Sequence, residues 1–69
     1  MKKFLIILEK TETGFSAYCP DLAGCVATGR TKKEVKKNMY EAIKMHIKGL
    51  LEDRKPVPKT HTFSEYMVV

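Results

Sequence analysis

Few side chains in this 69-residue sequence could do chemistry, and none of them forms a catalytic or metal-binding pattern. Cys19 and Cys25 flank a short loop, and no base can be assigned beside either thiol to activate it as a nucleophile. His46 and His61 do not lie at the spacing of a zinc module. We therefore expect free, structural thiols, no metal and no cofactor. A strand-to-strand disulfide fits the short spacing, but a reducing cytosol disfavours it.

The acidic residues avoid the centre of the first apolar segment. A two-metal nuclease site needs several converging carboxylates, one of them on a central strand, and residues 4–8 contain no acid. Glu9, Asp21 and Glu65 fall at predicted strand ends or in a loop, where solvation is the simpler interpretation. The sequence predicts a protein that is not an enzyme.

The basic residues exceed the acidic ones by 13 to 8, and the resulting charge of +5 favours polyanions or acidic partner surfaces. On a helical wheel, one lysine stripe is bordered by Tyr40; its members are Lys33, Lys37, Lys44 and Lys48. Lysine stripes with an aromatic neighbour can bind phosphate backbones. A solvated helix face with Glu–Lys pairs gives the same pattern and is the favoured interpretation. An acidic partner surface and nucleic acid remain as alternatives.

The composition, with 43% hydrophobic and 30% charged residues, is that of one small globular domain spanning residues 1–69. The longest apolar run, residues 4–8, is far shorter than the ~20 residues that span a bilayer. It is also shorter than the apolar region of a signal peptide. We expect a cytoplasmic protein with no membrane segment.

Strand signals precede a helix signal. Residues 3–10, 15–19 and 25–28 predict three strands, and the consecutive apolar residues of the first strand indicate a central position in its sheet. Thr31 and Glu34 form a predicted capping box. From there to Asp53, apolar residues recur at helical spacing, which predicts a helix with one buried face that includes His46. Residues 66–69 predict a fourth strand.

These elements predict an α+β fold of the order β-β-β-α-β. If the helix makes a right-handed crossover and the last strand pairs parallel to the first, the mixed sheet has four strands in the order 3-2-1-4. One helix covers one face of that sheet, and the opposite face also receives apolar residues. A second subunit is the simplest way to cover this apolar face, so we expect a homo-oligomer, either a dimer or a tetramer.

The loop between the second and third strands carries the remaining candidates. The Asp21 carboxylate, after Pro20, can accept backbone N–H groups of the loop, including those near Gly24, and we favour this structural role over partner contact. Tyr18 points away from Phe15, and we favour a core or subunit-interface role over partner recognition. His61 lies in a polar connection and is expected to be exposed.

Residues 14–25 (GFSAYCPDLAGC), together with Thr28, Gly29, Thr31 and Glu34, resemble the HicB-type antitoxin family. Asn38, Glu41 and Ala42 also match the family's helix, so the resemblance covers nearly the whole chain. The loop motif is moderately specific alone and strong in combination with the helix cap.

This resemblance implies a truncated RNase-H-like fold, and binding to a small RNA-cleaving toxin of the HicA type whose active site is masked. An appended DNA-binding domain, common in the family, is not expected here. The candidate partner-binding residues, beside the exposed edge of the third strand, are Tyr18, Pro20, Asp21, Leu22 and Gly24. The alternative function is a nucleic-acid-binding module that uses Tyr40 and the lysine stripe.

Overall fold

The computed structural model describes residues 2–69 and has an α+β fold. Three strands, β1 (Ile7–Lys10), β2 (Phe15–Tyr18) and β3 (Val26–Gly29), precede one long helix, α1 (Lys32–Glu52). The three strands and the helix therefore occur in the predicted order, with boundaries shifted by at most four residues. No helix in the part of the chain that the structure describes is both long and apolar enough to cross a membrane.

The sheet is entirely antiparallel and has the order β1-β2-β3. The turn between β1 and β2 is closed by the backbone bond from the Thr11 amide to the Gly14 carbonyl, at 2.8 Å. The central strand is β2, so the predicted central position of the first strand is wrong. Residues 4–6 precede β1 without joining the sheet, and Phe4 and Ile6 pack against the core with their side chains.

The predicted fourth strand is also wrong, and with it the mixed sheet of order 3-2-1-4. Residues 66–69 form no strand, and their side chains are exposed. The segment before them is held by side-chain bonds in place of a backbone ladder: the Thr60 hydroxyl donates to the Lys3 carbonyl, and residues 61–62 bond to Asp21. The chain is thereby held near β1 without the repeating backbone bonds that a strand requires.

The capping box at the start of α1 is confirmed. Thr31 has an extended backbone, and its hydroxyl accepts the Glu34 amide at 3.0 Å. The Glu34 carboxylate reaches back and accepts the Arg30 amide at 3.3 Å. Side chains thus satisfy one amide of the first turn of α1, that of Glu34, and the amide of Arg30 just before the helix.

The core lies between the sheet and one face of α1. Its buried apolar residues come from the sheet, the β2–β3 loop and the helix; they are Ala17, Cys19, Leu22, Cys25, Val35 and Met39. Gly29 permits the close approach of β3 and α1, because a Cβ there would lie 2.6 Å from the Val35 amide nitrogen. His46, predicted in the core, is half-buried, and Leu51 is exposed.

The end of α1 has the bonds of a Schellman motif. The Lys55 amide donates to the Leu50 carbonyl at 2.8 Å, and the Arg54 amide donates to the Leu51 carbonyl at 3.1 Å. Arg54 has a φ of 56°, the left-handed conformation in which this motif usually places glycine.

We predict that Arg54→Gly raises the free energy of unfolding by about 0.5–1 kcal/mol. Glycine removes the steric cost of the left-handed conformation, and the greater freedom of the unfolded chain offsets only part of that gain. Urea denaturation followed by circular dichroism measures this change. Lys55→Gly is the matched control, since Lys55 has no positive φ, and it should lower the stability. Equal destabilisation by both substitutions would contradict the prediction.

Candidate partner-binding surface

The loop between β2 and β3 is closed by its own backbone. The Cys19 carbonyl accepts the Leu22 amide, the Leu22 carbonyl accepts the Cys25 amide, and the Cys25 carbonyl accepts the Cys19 amide, each at 3.1 Å. Gly24 has a φ of 76°, which glycine adopts without steric cost. The loop therefore has a defined shape before any partner binds.

Leu22 holds this loop to the core. Its side chain is only 1% exposed and belongs to the buried cluster with Cys19 and Cys25. The two cysteines are free and buried. Burial raises the pKa of the Cys25 thiol, and the neighbouring Cys19 raises it further, so this thiol is protonated and poorly reactive at neutral pH.

Asp21 is buried in the same loop, but its partners are not the loop amides predicted from the sequence. Its Oδ1 accepts the Thr62 hydroxyl at 2.6 Å and lies 2.7 Å from His61 Nδ1. Its Oδ2 accepts the His61 amide at 3.3 Å. We call this arrangement of Asp21, His61 and Thr62 the Asp21 clasp; it ties the β2–β3 loop to a segment 40 residues further along the chain.

The proton position within the clasp follows from its geometry. His61 Nδ1 faces two acceptors, Asp21 Oδ1 at 2.7 Å and the Lys59 carbonyl at 3.2 Å. Nδ1 therefore carries a hydrogen in either charge state of the ring. The Thr62 hydroxyl bond lowers the pKa of Asp21; burial opposes this effect, while the amide and the ring of His61 reinforce it. His61 is exposed, as predicted, but its bond to Asp21 gives it a structural role.

The bonds of His61 and Thr62 to Asp21 could not be predicted from the sequence, because no local pattern around either residue indicates them. Their partner is distant in the chain, and a polar stretch after two prolines is typical of a solvated connection. Among residues 2–69, no three His, Cys, Asp or Glu side chains come together as a metal site.

With Asp21 and Leu22 buried, the accessible surface of the loop comes from other residues. Tyr18 is 41% exposed, Pro20 is half-buried, and Ala23 and Gly24 are exposed. Val26 is the cross-strand partner of Tyr18 and is also exposed. Because Ala17 faces the core, its neighbour Tyr18 lies on the opposite face of the sheet. We call this uncharged surface the loop patch: Tyr18, Pro20, Ala23, Gly24 and Val26.

The loop patch adjoins the open edge of β3. The bond from Cys19 to Cys25 fixes the alternation of the β2–β3 ladder, so the backbone groups of Val26 and Thr28 point away from β2. The Asn38 side chain donates to the Thr28 carbonyl at 2.8 Å and covers that end of the edge. The end nearest Val26 can accept an added strand.

The lysine stripe lies on α1, and all of its lysines are exposed. Lys44 Nζ lies 5.2 Å from the centroid of the Tyr40 ring, a cation–π arrangement. The structure thus brings the stripe and Tyr40 together as predicted, on the helical side of the sheet.

Residues 4–68 match a protein-family model described as the HicB-like antitoxin of a bacterial toxin-antitoxin system. A 14.9 kDa protein of Haemophilus phage HP1 is 39% identical over 90% of this chain, and the chain spans 47% of that relative's length. A UPF0150 protein of Synechocystis is 40% identical over 81% of this chain and 72% of its own length.

A solved chain from a HicA3 and HicB3 toxin-antitoxin complex matches the structure with a TM-score of 0.73. The two chains are 35% identical, and the match covers 87% of this chain and 70% of the other.

We predict that the clasp makes stability fall as the pH drops below about 4. The folded protein holds the Asp21 pKa below its ordinary value, so the unfolded chain takes up its proton first, and stability is lost as the pH falls through the folded-state pKa. Urea unfolding between pH 7 and pH 2 measures this. Asp21→Asn should be less stable at pH 7 and should show a shallower pH dependence. Glu12→Gln, at an exposed position, is the control, and an unchanged slope in Asp21→Asn would contradict the prediction.

Proposed function

The chain belongs to the HicB-like antitoxin family of bacterial toxin-antitoxin systems, and from that premise we propose that it neutralises a small RNA-cleaving toxin of the HicA type by covering the toxin's catalytic surface. The observation that carries the proposal is the similarity, at 35% identity and a TM-score of 0.73, to a chain from a solved toxin-antitoxin complex. The family resemblance of the β2–β3 loop and the helix cap supports the same role.

A role in binding without catalysis is supported by how the reactive side chains are used. Both Asp21 carboxylate oxygens are bonded within the clasp. Burial raises the pKa of the Cys25 thiol. The Asp21 carboxylate is therefore engaged in holding the loop, and the Cys25 thiol stays protonated within the core.

We assign the toxin contact to the loop patch and the adjoining edge of β3. Tyrosine is a frequent hot-spot residue in protein interfaces, and Tyr18 is supported by a loop whose shape is already fixed. Asp21 and Leu22, named with Tyr18, Pro20 and Gly24 from the sequence, contribute by holding this surface in place from beneath. We add Val26 to the proposed set, because it is exposed and is the cross-strand partner of Tyr18.

The proposal includes a cytoplasmic homo-oligomer, either a dimer or a tetramer, built from a truncated RNase-H-like domain. Three antiparallel strands followed by a helix on one face of the sheet support this assignment of the fold. The exposed apolar side chains of residues 63–69 support an oligomer.

Binding to nucleic acid through the lysine stripe is the second candidate. The cation–π contact between Lys44 and Tyr40 favours it, because it orients an aromatic ring among exposed lysines. Bases stack on such rings while lysines contact the phosphates.

For the antitoxin role, we predict that the protein co-purifies with a small toxin encoded beside it and restores growth when both are expressed. Tyr18→Ala should weaken the complex at least tenfold, a loss of about 1.4 kcal/mol or more. Tyr40→Ala, which removes an exposed tyrosine from the helical side, is the matched control and should bind normally. Isothermal titration calorimetry measures both affinities. Failure of the unaltered protein to co-purify and to restore growth would overturn the proposal.

For the second candidate, titration of labelled RNA and DNA at two salt concentrations should show binding that weakens as the salt concentration rises. Lys37→Glu with Lys44→Glu should abolish that binding. Lys10→Glu with Lys55→Glu carries the same change in net charge outside the stripe and should retain most of it. No binding at low salt, or equal loss in both double variants, would rule out a specific role for the stripe.

A further inference from the structure

A groove runs between the segment that precedes β1 and one side of α1. The helix packs mainly against β3 and β2, and residues 4–6 pass beside it without joining the sheet. The space that remains between the segment and the helix is an open cavity of about 560 Å³. We call this cavity the lysine-rimmed groove.

The floor of the groove is apolar and incompletely covered. Met39 is buried, whereas the other four apolar side chains of the floor are only half-buried; the five are Phe4, Ile6, Met39, Ile43 and Ile47. Water still reaches the half-buried side chains, so a partner that covers them gains hydrophobic free energy. The groove can therefore contribute to binding as well as to the fold.

The rim of the groove is basic. Lys2 lies on one wall and Lys36 and Lys44 lie on the other, and all three are exposed. No acidic side chain among residues 2–69 lines the groove. Lysines on both sides of an apolar floor are complementary to a partner that carries acidic side chains on both sides of an apolar face.

The wall that α1 supplies has rows of side chains that repeat every four residues. One row is apolar and begins at Met39, and the neighbouring row leads from Lys36 through Tyr40 to Lys44. Residues four apart lie about 6 Å apart along a helix, so Lys36 and Lys44 are separated by about 12 Å. A second amphipathic helix has apolar and charged rows with this same interval.

We propose that the lysine-rimmed groove binds an acidic amphipathic helix of another protein. The apolar face of that helix lies on the floor, in the helix-in-groove mode of recognition. Its carboxylates two turns apart, about 12 Å, meet Lys36 and Lys44, and an acidic residue on its other flank meets Lys2. This site goes beyond the proposed antitoxin role, and α1 lies on the face of the sheet opposite Tyr18.

The chain itself matches the groove less well than an acidic helix does. No residue after Ile47 in the described part of the chain lines the groove, and residues 64–66 line a different cavity, beside β1. The returning segment from residue 54 to residue 64 contains three basic residues and no acid, so the rim repels it. A second copy carries the same net charge of +5 and is likewise repelled.

Nucleic acid also matches the groove less well. Its phosphates would suit the lysines, but single strands bind proteins largely by stacking bases on aromatic rings. Only Phe4 among the five floor side chains is aromatic. The four aliphatic side chains are better covered by the apolar side chains of a helix.

The first test uses a synthetic helical peptide of about 18 residues as the probe. It carries leucines at helical spacing with glutamates on both sides of the apolar face. Isothermal titration calorimetry with the full chain should show binding that weakens as the salt concentration rises. The same peptide with lysines in place of the glutamates should bind about tenfold more weakly or less. A peptide of the same composition without an apolar face should not bind.

Two matched pairs of variants locate the peptide. Lys36→Glu should weaken binding about tenfold or more. Lys37→Glu makes the same charge change at the next residue, outside the groove, and should retain most of the affinity. Ile47→Gln should also weaken binding, and Met45→Gln, at an exposed position that does not line the groove, is its control. Circular dichroism checks that the four variants retain α1.

Three results overturn the proposal: no binding of the acidic peptide, equal binding of the acidic and basic peptides, or equal loss in Lys36→Glu and Lys37→Glu. Binding of labelled RNA that is lost only in Lys36→Glu, without binding of the peptide, assigns the groove to nucleic acid instead. A lower mass of Ile47→Gln in light scattering, again without binding of the peptide, assigns it to a second copy.

The groove and the proposed toxin contact can be tested separately. Lys36→Glu should retain toxin binding, and Tyr18→Ala should retain the peptide. Loss of one activity in the variant of the other site would contradict this separation.

Discussion

The buried carboxylate of Asp21 determines the arrangement of the loop, of the returning chain and of the surfaces around them. An ionised carboxylate is costly to bury unless hydrogen-bond donors surround it. Here the donors come from Thr62 and His61, which lower the pKa of Asp21 and so favour its charged form. The same bonds support the β2–β3 loop and set the point from which residues 63–69 depart.

Elements with local causes could be predicted from the sequence, and contacts between distant segments could not. The cap of α1 depends on Thr31 and Glu34, which are three residues apart, and the β1–β2 turn depends on residues 11–14. The Asp21 clasp joins positions 40 residues apart, and no pattern in either segment indicates the other. The prediction of a fourth strand was wrong for a related reason. The composition of residues 66–69 suits a strand, but composition does not determine whether the segment finds a sheet edge to pair with.

Within the motif of the β2–β3 loop, too, the local sequence predicts some features and not others. Turn residues such as Pro20 and Gly24 predict an exposed loop, yet Leu22 between them is buried because a domain of this size recruits loop side chains to complete its core. The motif therefore combines residues that present a surface with residues that support it. Val26, outside the motif, joins that surface because the register of β2 and β3 places it opposite Tyr18.

The positions of the charged side chains affect the binding of partners more than the net charge of +5 does. The loop patch carries no charged side chain, and the lysine stripe lies on α1, beyond the opposite face of the sheet. A helix axis lies about 10 Å from a sheet that it packs against, while physiological salt screens charges over about 8 Å. A basic protein that approaches the loop patch is therefore largely screened from the stripe. The β1 edge and the β3 edge are likewise on opposite sides of β2, so a partner bound beside the loop patch would leave the β1 edge uncovered.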